Sequence, residues 1–121
     1  MKYPLRTISK HFFLEKDGKL WLLDTGAPQS FGCEAKLELA GLTFDIQGNY
    51  MELTPAQLSE FVSVDCTGLL GADVWGSFDI LLDQEGKSIL VSTGSLRIGA
   101  FLGLNLHRIS KVCTYIPLVH L

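Results

Sequence analysis

The sequence predicts one mainly β domain whose strands pair mostly antiparallel, and three observations support this fold class. Short apolar stretches alternate with turn signals that contain glycine. No segment carries a helical pattern long enough for the crossover between two parallel strands. No linker and no shift in composition divides the 121 residues. We therefore assign residues 1–121 to a single domain, with a C-terminal extension from about residue 93.

The first predicted element is a hairpin that ends in an acidic residue. Strands from His11 to Glu15 and from Lys19 to Leu23 flank an Asp-Gly pair at residues 17 and 18, which favours a tight two-residue turn. Asp24 follows the second strand directly, on a loop that the sheet holds in place. A carboxylate at such a position costs free energy unless hydrogen bonds or a partner compensate it. A function is one source of that compensation.

A second hairpin is predicted around a turn at Gly48-Asn49. Apolar and polar residues alternate over residues 42–46 and again over residues 51–53. A two-residue turn between these stretches would place Ile46 opposite Met51, on one apolar face.

The next predicted element is a short helix that starts at residue 54. Thr54 is suited to cap it, Pro55 to occupy its first position, and Gln57 to complete a capping box. A brief helix-like segment is also expected within residues 71–78, before a hairpin around Gln84 to Lys87.

The C-terminal extension contains two further features. The stretch from Arg97 to Leu104 is apolar enough to form an interface or an added pair of strands. The stretch from Thr114 to His120 reads as a strand.

Composition and charge exclude several classes of function. The hydrophobic fraction is 47% and the charged fraction 19%, which is typical of a well-buried globular protein. The formal net charge is −3 and the basic residues are scattered singly, so no basic stripe is available to bind nucleic acid. No window reaches the roughly 18 apolar residues of a membrane span, and the amino terminus lacks the pattern of a signal peptide. We therefore expect a cytoplasmic protein with neither a nucleic-acid nor a membrane partner.

Residues that bind metals do not form a recognisable pattern. Cys33, Cys66 and Cys113 are odd in number and far apart, without the spacing of a zinc site or of a disulfide framework. Asp79 and Asp83 alternate along one strand, yet a cation would need further ligands in convergence. We expect buried free thiols, no metal and no cofactor.

Asp24 could act in catalysis if the Asp24 of a second subunit lies beside it across a twofold axis. Two carboxylates so close cannot both ionise cheaply, so they hold one proton between them and titrate as a unit. The ionised member can deprotonate a bound water while the protonated member donates to a substrate carbonyl. The hydroxyl of Thr25 can join a network beneath the acids, Gly26 lets the backbone approach them, and Ala27 leaves room for a substrate.

Two motifs in order resemble the retropepsin-like family, the single-lobe aspartic proteases that act as dimers. The first runs from Leu22 to Ala27 and is followed by Ser30-Phe31. The second runs from Gly68 to Asp73 and is followed by Phe78 to Asp83. An Asp-Thr-Gly triplet alone is ordinary turn chemistry, but the ordered pair of motifs is much rarer. The resemblance covers roughly residues 10–92.

The resemblance implies a fold, an activity and catalytic residues. The implied fold is a closed, mostly antiparallel acid-protease barrel with one short helix. The implied activity is that of an aspartic endopeptidase which acts as a homodimer on a peptide or protein substrate. Asp24 would be the catalytic acid, Thr25 and Gly26 would complete the catalytic signature, and Ala27 would border the substrate. Gly71 and Asp73 would be structural.

The resemblance also implies a flap over the substrate. It would be the tip of the second predicted hairpin, at Gly48, Asn49 and Tyr50. There it would donate backbone hydrogen bonds to the peptide and shield the cleft from water.

Departures from the family pattern are consistent with a second function, which does not involve catalysis. Retroviral members carry an arginine after the glycine of the second motif, which packs against an acid near the triplet. Ala72 and Pro28 occupy those places here, and the flap lacks the usual richness in glycine. The alternative is a catalytically inactive domain of the same fold that serves as a peptide-binding, protein-binding or dimerisation module. The intact Asp-Thr-Gly-Ala sequence favours the enzyme.

Overall fold

The computed structural model describes residues 1–93 and the backbone of one strand near the C-terminus, Cys113–Ile116. Within these residues the chain is mainly β, as predicted. The strands are β1 Lys2–Ile8, β2 His11–Lys16, β3 Lys19–Leu23, β4 Phe31–Gly32, β5 Lys36–Leu39, β6 Leu42–Asp45, β7 Gly68–Leu70, β8 Asp79–Asp83, β9 Ser88–Ser92 and β10 Cys113–Ile116. The helices are α1 Pro55–Val62 and α2 Ala72–Trp75.

The predictions for the C-terminal extension fall mostly outside the described residues. The segment from Arg97 to Leu104 lies wholly outside them. Of the strand predicted from Thr114 to His120, residues 114–116 belong to β10.

One large sheet organises the described part of the chain. Its strand order is β10-β8-β9-β1-β2-β3-β7-β4, and β5 and β6 form a separate two-stranded sheet. The strands pair antiparallel in both sheets except between β3 and β7, which are parallel. In the described residues the large sheet has two ends, at β10 and β4, so the closed barrel that the resemblance implied is not found. That resemblance also implied one short helix, whereas two form, and α1 and α2 lie where the sequence itself predicts a short helix and a helix-like segment.

The first predicted hairpin is confirmed. β2 and β3 pair from Phe13 opposite Leu22 to the residues that flank the turn. Asp17 and Gly18 have φ angles of 53° and 76°, and two positive values are what a type I′ turn requires. Asp24 therefore follows the C-terminal end of β3, and the turn fixes the register in which β3 pairs with β2.

The second predicted hairpin is wrong. β6 pairs with the preceding strand β5 instead, around a turn at Ala40-Gly41 with φ angles of 49° and 87°. Apolar and polar residues alternate over residues 36–39 as they do over residues 42–45. The apolar positions of β6 therefore match whether β6 pairs with the stretch before it or the stretch after it, and it pairs with the nearer one. Gly48 and Asn49 lie on an exposed bend. A smaller reversal follows, in which Tyr50 and Leu53 exchange backbone hydrogen bonds of 3.0 and 2.9 Å.

Helix α1 starts as the sequence predicts. The Thr54 side chain accepts a hydrogen bond from the Gln57 N–H at 3.3 Å, and the Gln57 side chain accepts one from the Thr54 N–H at 3.0 Å. Leu58 and Val62 face the interior, which leaves the opposite face of the helix exposed. In the part of the chain that the structure describes, no helix is both long enough and apolar enough to cross a membrane.

Two apolar clusters lie on the sheet. The main cluster is built around Trp21, Trp75 and Phe78. The second cluster lies beneath α1 and consists of Phe13, Leu22, Phe31, Leu58, Val62, Cys66 and Leu69. β3 contributes to both clusters because successive residues of a strand, such as Trp21 and Leu22, point to opposite faces. The loop after β3 therefore leaves from a strand that is buried on both sides.

A close approach between β4 and β7 makes a glycine necessary, which gives a testable prediction. A Cβ atom on Gly68 would lie 2.3 Å from the Phe31 carbonyl oxygen and 2.8 Å from the Trp21 ring. We expect Gly68→Ala to lower the free energy of unfolding by about 2 to 3 kcal/mol, because the strands must move apart. Urea denaturation measures the change. Gly48→Ala is the matched control, since nothing lies within 4 Å of its Cβ position, and equal stability of the two variants would contradict the prediction.

Candidate active site

The two sequence motifs meet where β7 lies between β3 and β4. β7 is parallel to β3 and antiparallel to β4, so the second motif runs between the two strands that the first motif joins. Leu22 and Leu23 pair with Leu69 and Leu70. The Asp24 N–H then donates to the Leu70 carbonyl oxygen at 3.1 Å. The second motif thus holds the backbone of Asp24.

Asp24 is partly exposed, and its carboxylate is held on one side only. Its Oδ1 accepts a hydrogen bond from the Gly26 N–H at 3.1 Å, and its backbone carbonyl accepts from the Ala27 N–H at 3.2 Å. This tight turn fixes the direction of the side chain. The carboxylate has no further hydrogen-bond partner in the part of the chain that the structure describes. Its second oxygen is therefore available to water, to a substrate or to another acid.

The other residues of the predicted site lie in three places. Thr25 is half-buried next to Asp24, and its hydroxyl makes no hydrogen bond within residues 1–93. Ala27 packs against the second cluster, and so does Tyr50. The structure thus brings Ala27 and Tyr50 to one apolar cluster, whereas Gly48-Asn49 is exposed and is not the tip of a hairpin.

A hydrogen-bonded clamp fixes the far end of the loop. The Ser30 hydroxyl donates to Asp73 Oδ1 at 2.6 Å and accepts from the Gly71 N–H at 2.8 Å. The Ser30 N–H donates to the same carboxylate oxygen at 2.9 Å. A side chain on Gly71 would not fit, because its Cβ would lie 2.6 Å from the Ala27 carbonyl oxygen. Ser30 and Asp73 therefore position the loop that carries Asp24.

Ser30 follows the first motif in the sequence, but the motif alone does not indicate a role for it. The only local signal was a small polar residue directly before the apolar Phe31 at the start of β4. Its partner Asp73 is 43 residues away, and only the fold reveals the pair. The Ala72 N–H donates to the Ala27 carbonyl oxygen at 2.7 Å and so also connects α2 to the loop.

Removal of the Ser30 hydroxyl should destabilise the protein measurably. Ser30 is 1% exposed, so Ser30→Ala leaves the buried Gly71 N–H without an acceptor. We expect a loss of about 1 to 3 kcal/mol in the free energy of unfolding, read from urea denaturation. The control is Ser77→Ala on the exposed turn after α2, which should be neutral. If both variants unfold at the same urea concentration as the wild type, the clamp does not contribute to stability.

The cysteines differ in environment. Cys66 is buried, as predicted, and burial raises the pKa of its thiol. Cys33 is exposed, contrary to the prediction, because it lies just beyond the end of the short edge strand β4. No cluster of three or more His, Cys, Asp or Glu residues that could bind a metal occurs within residues 1–93 or the strand near the C-terminus.

Comparison with known proteins finds no relative of this chain. No family model, no curated protein and no solved structure matches this chain. The function must therefore be inferred from the geometry of the Asp24 loop and the chemistry of its side chains.

Proposed function

We propose that the chain is an aspartic endopeptidase, which hydrolyses peptide bonds with a water activated by two copies of Asp24 across a homodimer. The observation that carries the proposal is the state of the Asp24 carboxylate. One of its oxygens is fixed by the Gly26 N–H, and the other has no protein partner in the described part of the chain. An acid held in a fixed direction, on a loop anchored to two strands, is suited to general acid and base catalysis.

The strand arrangement supports the finer assignment of the fold to the retropepsin-like family. The Leu69-Leu70 pair lies between β3 and β4, and it supplies the carbonyl that holds Asp24. In that family an apolar pair and a glycine cross the catalytic loop in the same order. The hydrogen bonds of Ser30 with Asp73 and Gly71 hold the loop here, where the retroviral members have an arginine that packs against an acid.

The proposed chemistry uses one proton shared between the two acids. The ionised Asp24 takes a proton from the bound water as the oxygen attacks the substrate carbonyl carbon. The protonated Asp24 of the second subunit gives its proton to the carbonyl oxygen, and a tetrahedral diol results. The proton that the first acid has gained then passes to the amide nitrogen as the C–N bond breaks. The second acid recovers its proton from the diol, so the pair returns to its starting state.

A second subunit is required because the described chain offers no second acid at this loop. Asp73 is the one acid of the second motif, and its Oδ1 is occupied by the Ser30 hydroxyl and by two backbone N–H groups. The second carboxylate must then come from a symmetry-related copy.

A specific observation favours a second candidate, a peptide-binding module without catalysis. The hairpin expected to act as a flap over residues 48–50 does not form. Ala27 and Tyr50 still pack against one apolar cluster, at the surface where a peptide would lie in such a module. An acid fixed at Asp24 has no evident use in such a module, so we rank it second.

The test is to incubate the full chain with a mixed peptide library at acidic and at neutral pH, with and without pepstatin, and to identify the products by mass spectrometry. We expect cleavage that pepstatin inhibits, by a protein with the mass of a dimer in solution. No cleavage by the folded dimer at any pH would favour the binding module. A strict monomer at high concentration would contradict the shared pair of acids.

A further inference from the structure

The exposed side of α1 forms one wall of an apolar groove whose lining includes no residue of the Asp24 loop. Its other wall is the tight turn at residues 51–53, and the groove has a volume of about 500 Å³. The helix contributes three residues spaced so that they share one face. The lining consists of Met51, Glu52, Leu53, Gln57, Glu60 and Phe61.

The groove holds the two most exposed large apolar side chains in the described part of the molecule. Met51 is 81% exposed and Phe61 is 78% exposed, whereas the terminal Met1 is 68% exposed and Ile8 and Leu42 reach only 37% and 39%. Leu58 and Val62 already anchor α1, so an exposed Phe61 adds nothing to the core. A pair of large apolar side chains on either side of one groove is typical of an interaction surface.

The turn itself is conformationally costly. Met51 and Glu52 have φ angles of 49° and 70°, in the left-handed region where Asn-Gly or Gly-Gly is preferred. A glycine at either position would relieve the strain, and neither side chain is buried in return. The turn therefore presents methionine and glutamate to the groove at a conformational cost, and methionine is a side chain that adapts well to different apolar partners.

The charges of the groove define its partner. Two of its six lining residues, Glu52 and Glu60, are acidic, and none of the six is basic, as far as the structure describes the chain. Neither acid forms an ion pair within residues 1–93. An occupant that is apolar at its centre and positively charged at its edges would match both features.

We propose that this groove binds a peptide segment of a partner protein that places an apolar side chain next to lysine or arginine. The apolar side chain lies between Met51 and Phe61, and the basic groups face Glu52 and Glu60. This binding is independent of peptide-bond cleavage and does not require Asp24.

The test is selection of a random-heptapeptide display library on the immobilised full chain, followed by fluorescence polarisation with the selected peptides. We expect enrichment of sequences with Lys or Arg beside Leu, Met or Phe. Phe61→Ser should weaken their binding by about tenfold or more, as expected for the loss of a central apolar contact. Glu60→Gln should weaken it by about two- to fivefold, and raised salt should abolish that difference.

Matched controls separate the groove from general effects. Leu42→Ser removes an exposed apolar residue from β6, and Glu85→Gln removes an exposed acid from the turn between β8 and β9. Both should leave binding unchanged, and the Asp24→Asn protein should select the same peptides.

Three results would overturn the proposal. The first is selected peptides without basic residues, and the second is peptides that bind the Phe61→Ser protein as tightly as the wild type. The third is a change in the mass of the full chain in solution on Phe61→Ser, which would show that the groove is occupied by a second copy instead.

Discussion

Replacement of Asp24 with asparagine is expected to lower the rate of peptide-bond cleavage by about 10³-fold, while the protein stays folded. Asparagine keeps the shape of the side chain, and its oxygen can still accept the hydrogen bond from the Gly26 N–H. It cannot take a proton from water or share one with the opposite acid. The measurement is kcat/KM on a peptide cut by the wild type, followed across the pH range.

The matched control for this change is Asp17→Asn. Asp17 is an exposed acid at the turn between β2 and β3, and asparagine before Gly18 suits the same turn. Its activity should equal that of the wild type. Mixing the wild-type and Asp24→Asn chains should lower activity more steeply than the wild-type fraction falls, because mixed dimers hold only one ionisable acid. Cleavage that survives in Asp24→Asn would remove Asp24 from the mechanism.

The largest loss of stability is expected from Trp75→Ala. Trp75 is 0% exposed, lies in the main cluster, and packs edge-to-face on Phe78 with ring centroids 6.3 Å apart. Truncation of a large buried aromatic side chain costs about 3 to 5 kcal/mol, which is a large part of the total stability of a domain of this size. Urea denaturation followed by circular dichroism measures the change. A loss below about 1 kcal/mol would show that the site collapses around the cavity or is not buried.

A milder variant, Trp75→Phe, tests whether the Trp75 indole in the core helps to position the loop that carries Asp24. The Trp75 indole N–H donates to the Leu70 carbonyl at 2.9 Å, and that carbonyl also accepts from the Asp24 N–H. Trp75→Phe keeps an aromatic ring but loses this donor, so we expect a loss of about 1 kcal/mol in addition to the effect of the smaller ring. If the indole positions the loop, kcat should fall while KM stays nearly constant. An unchanged kcat would limit Trp75 to a structural role.

The features that the sequence predicted correctly are local. The Asp-Gly pair at residues 17 and 18 determines a turn through its own backbone preferences, and the capping box of α1 needs only Thr54 and Gln57. The same holds for the position of Asp24, because the hairpin that leads to it is set by that turn. These predictions succeed because the interacting residues are no more than a few positions apart.

The predictions that failed concern a choice between partners. Residues 42–45 could pair with the stretch before or after them, and both choices bury the same alternate side chains. The exposure of Cys33 likewise depends on where the edge strand β4 ends. The proposed flap at Gly48, Asn49 and Tyr50 lost its structural basis with the second predicted hairpin, although Tyr50 still shares a cluster with Ala27.

The amino-acid sequence by itself determined the mainly β class, the hairpin and turn that lead to Asp24, and the start of α1. Only the tertiary structure decided that β7 lies between β3 and β4, that Asp73 binds Ser30, and that the large sheet has two ends in the described residues. The reason is distance along the chain. Contacts between residues some 40 positions apart depend on the packing of the whole domain, because each such pair gains its free energy only after the strands between have found their partners.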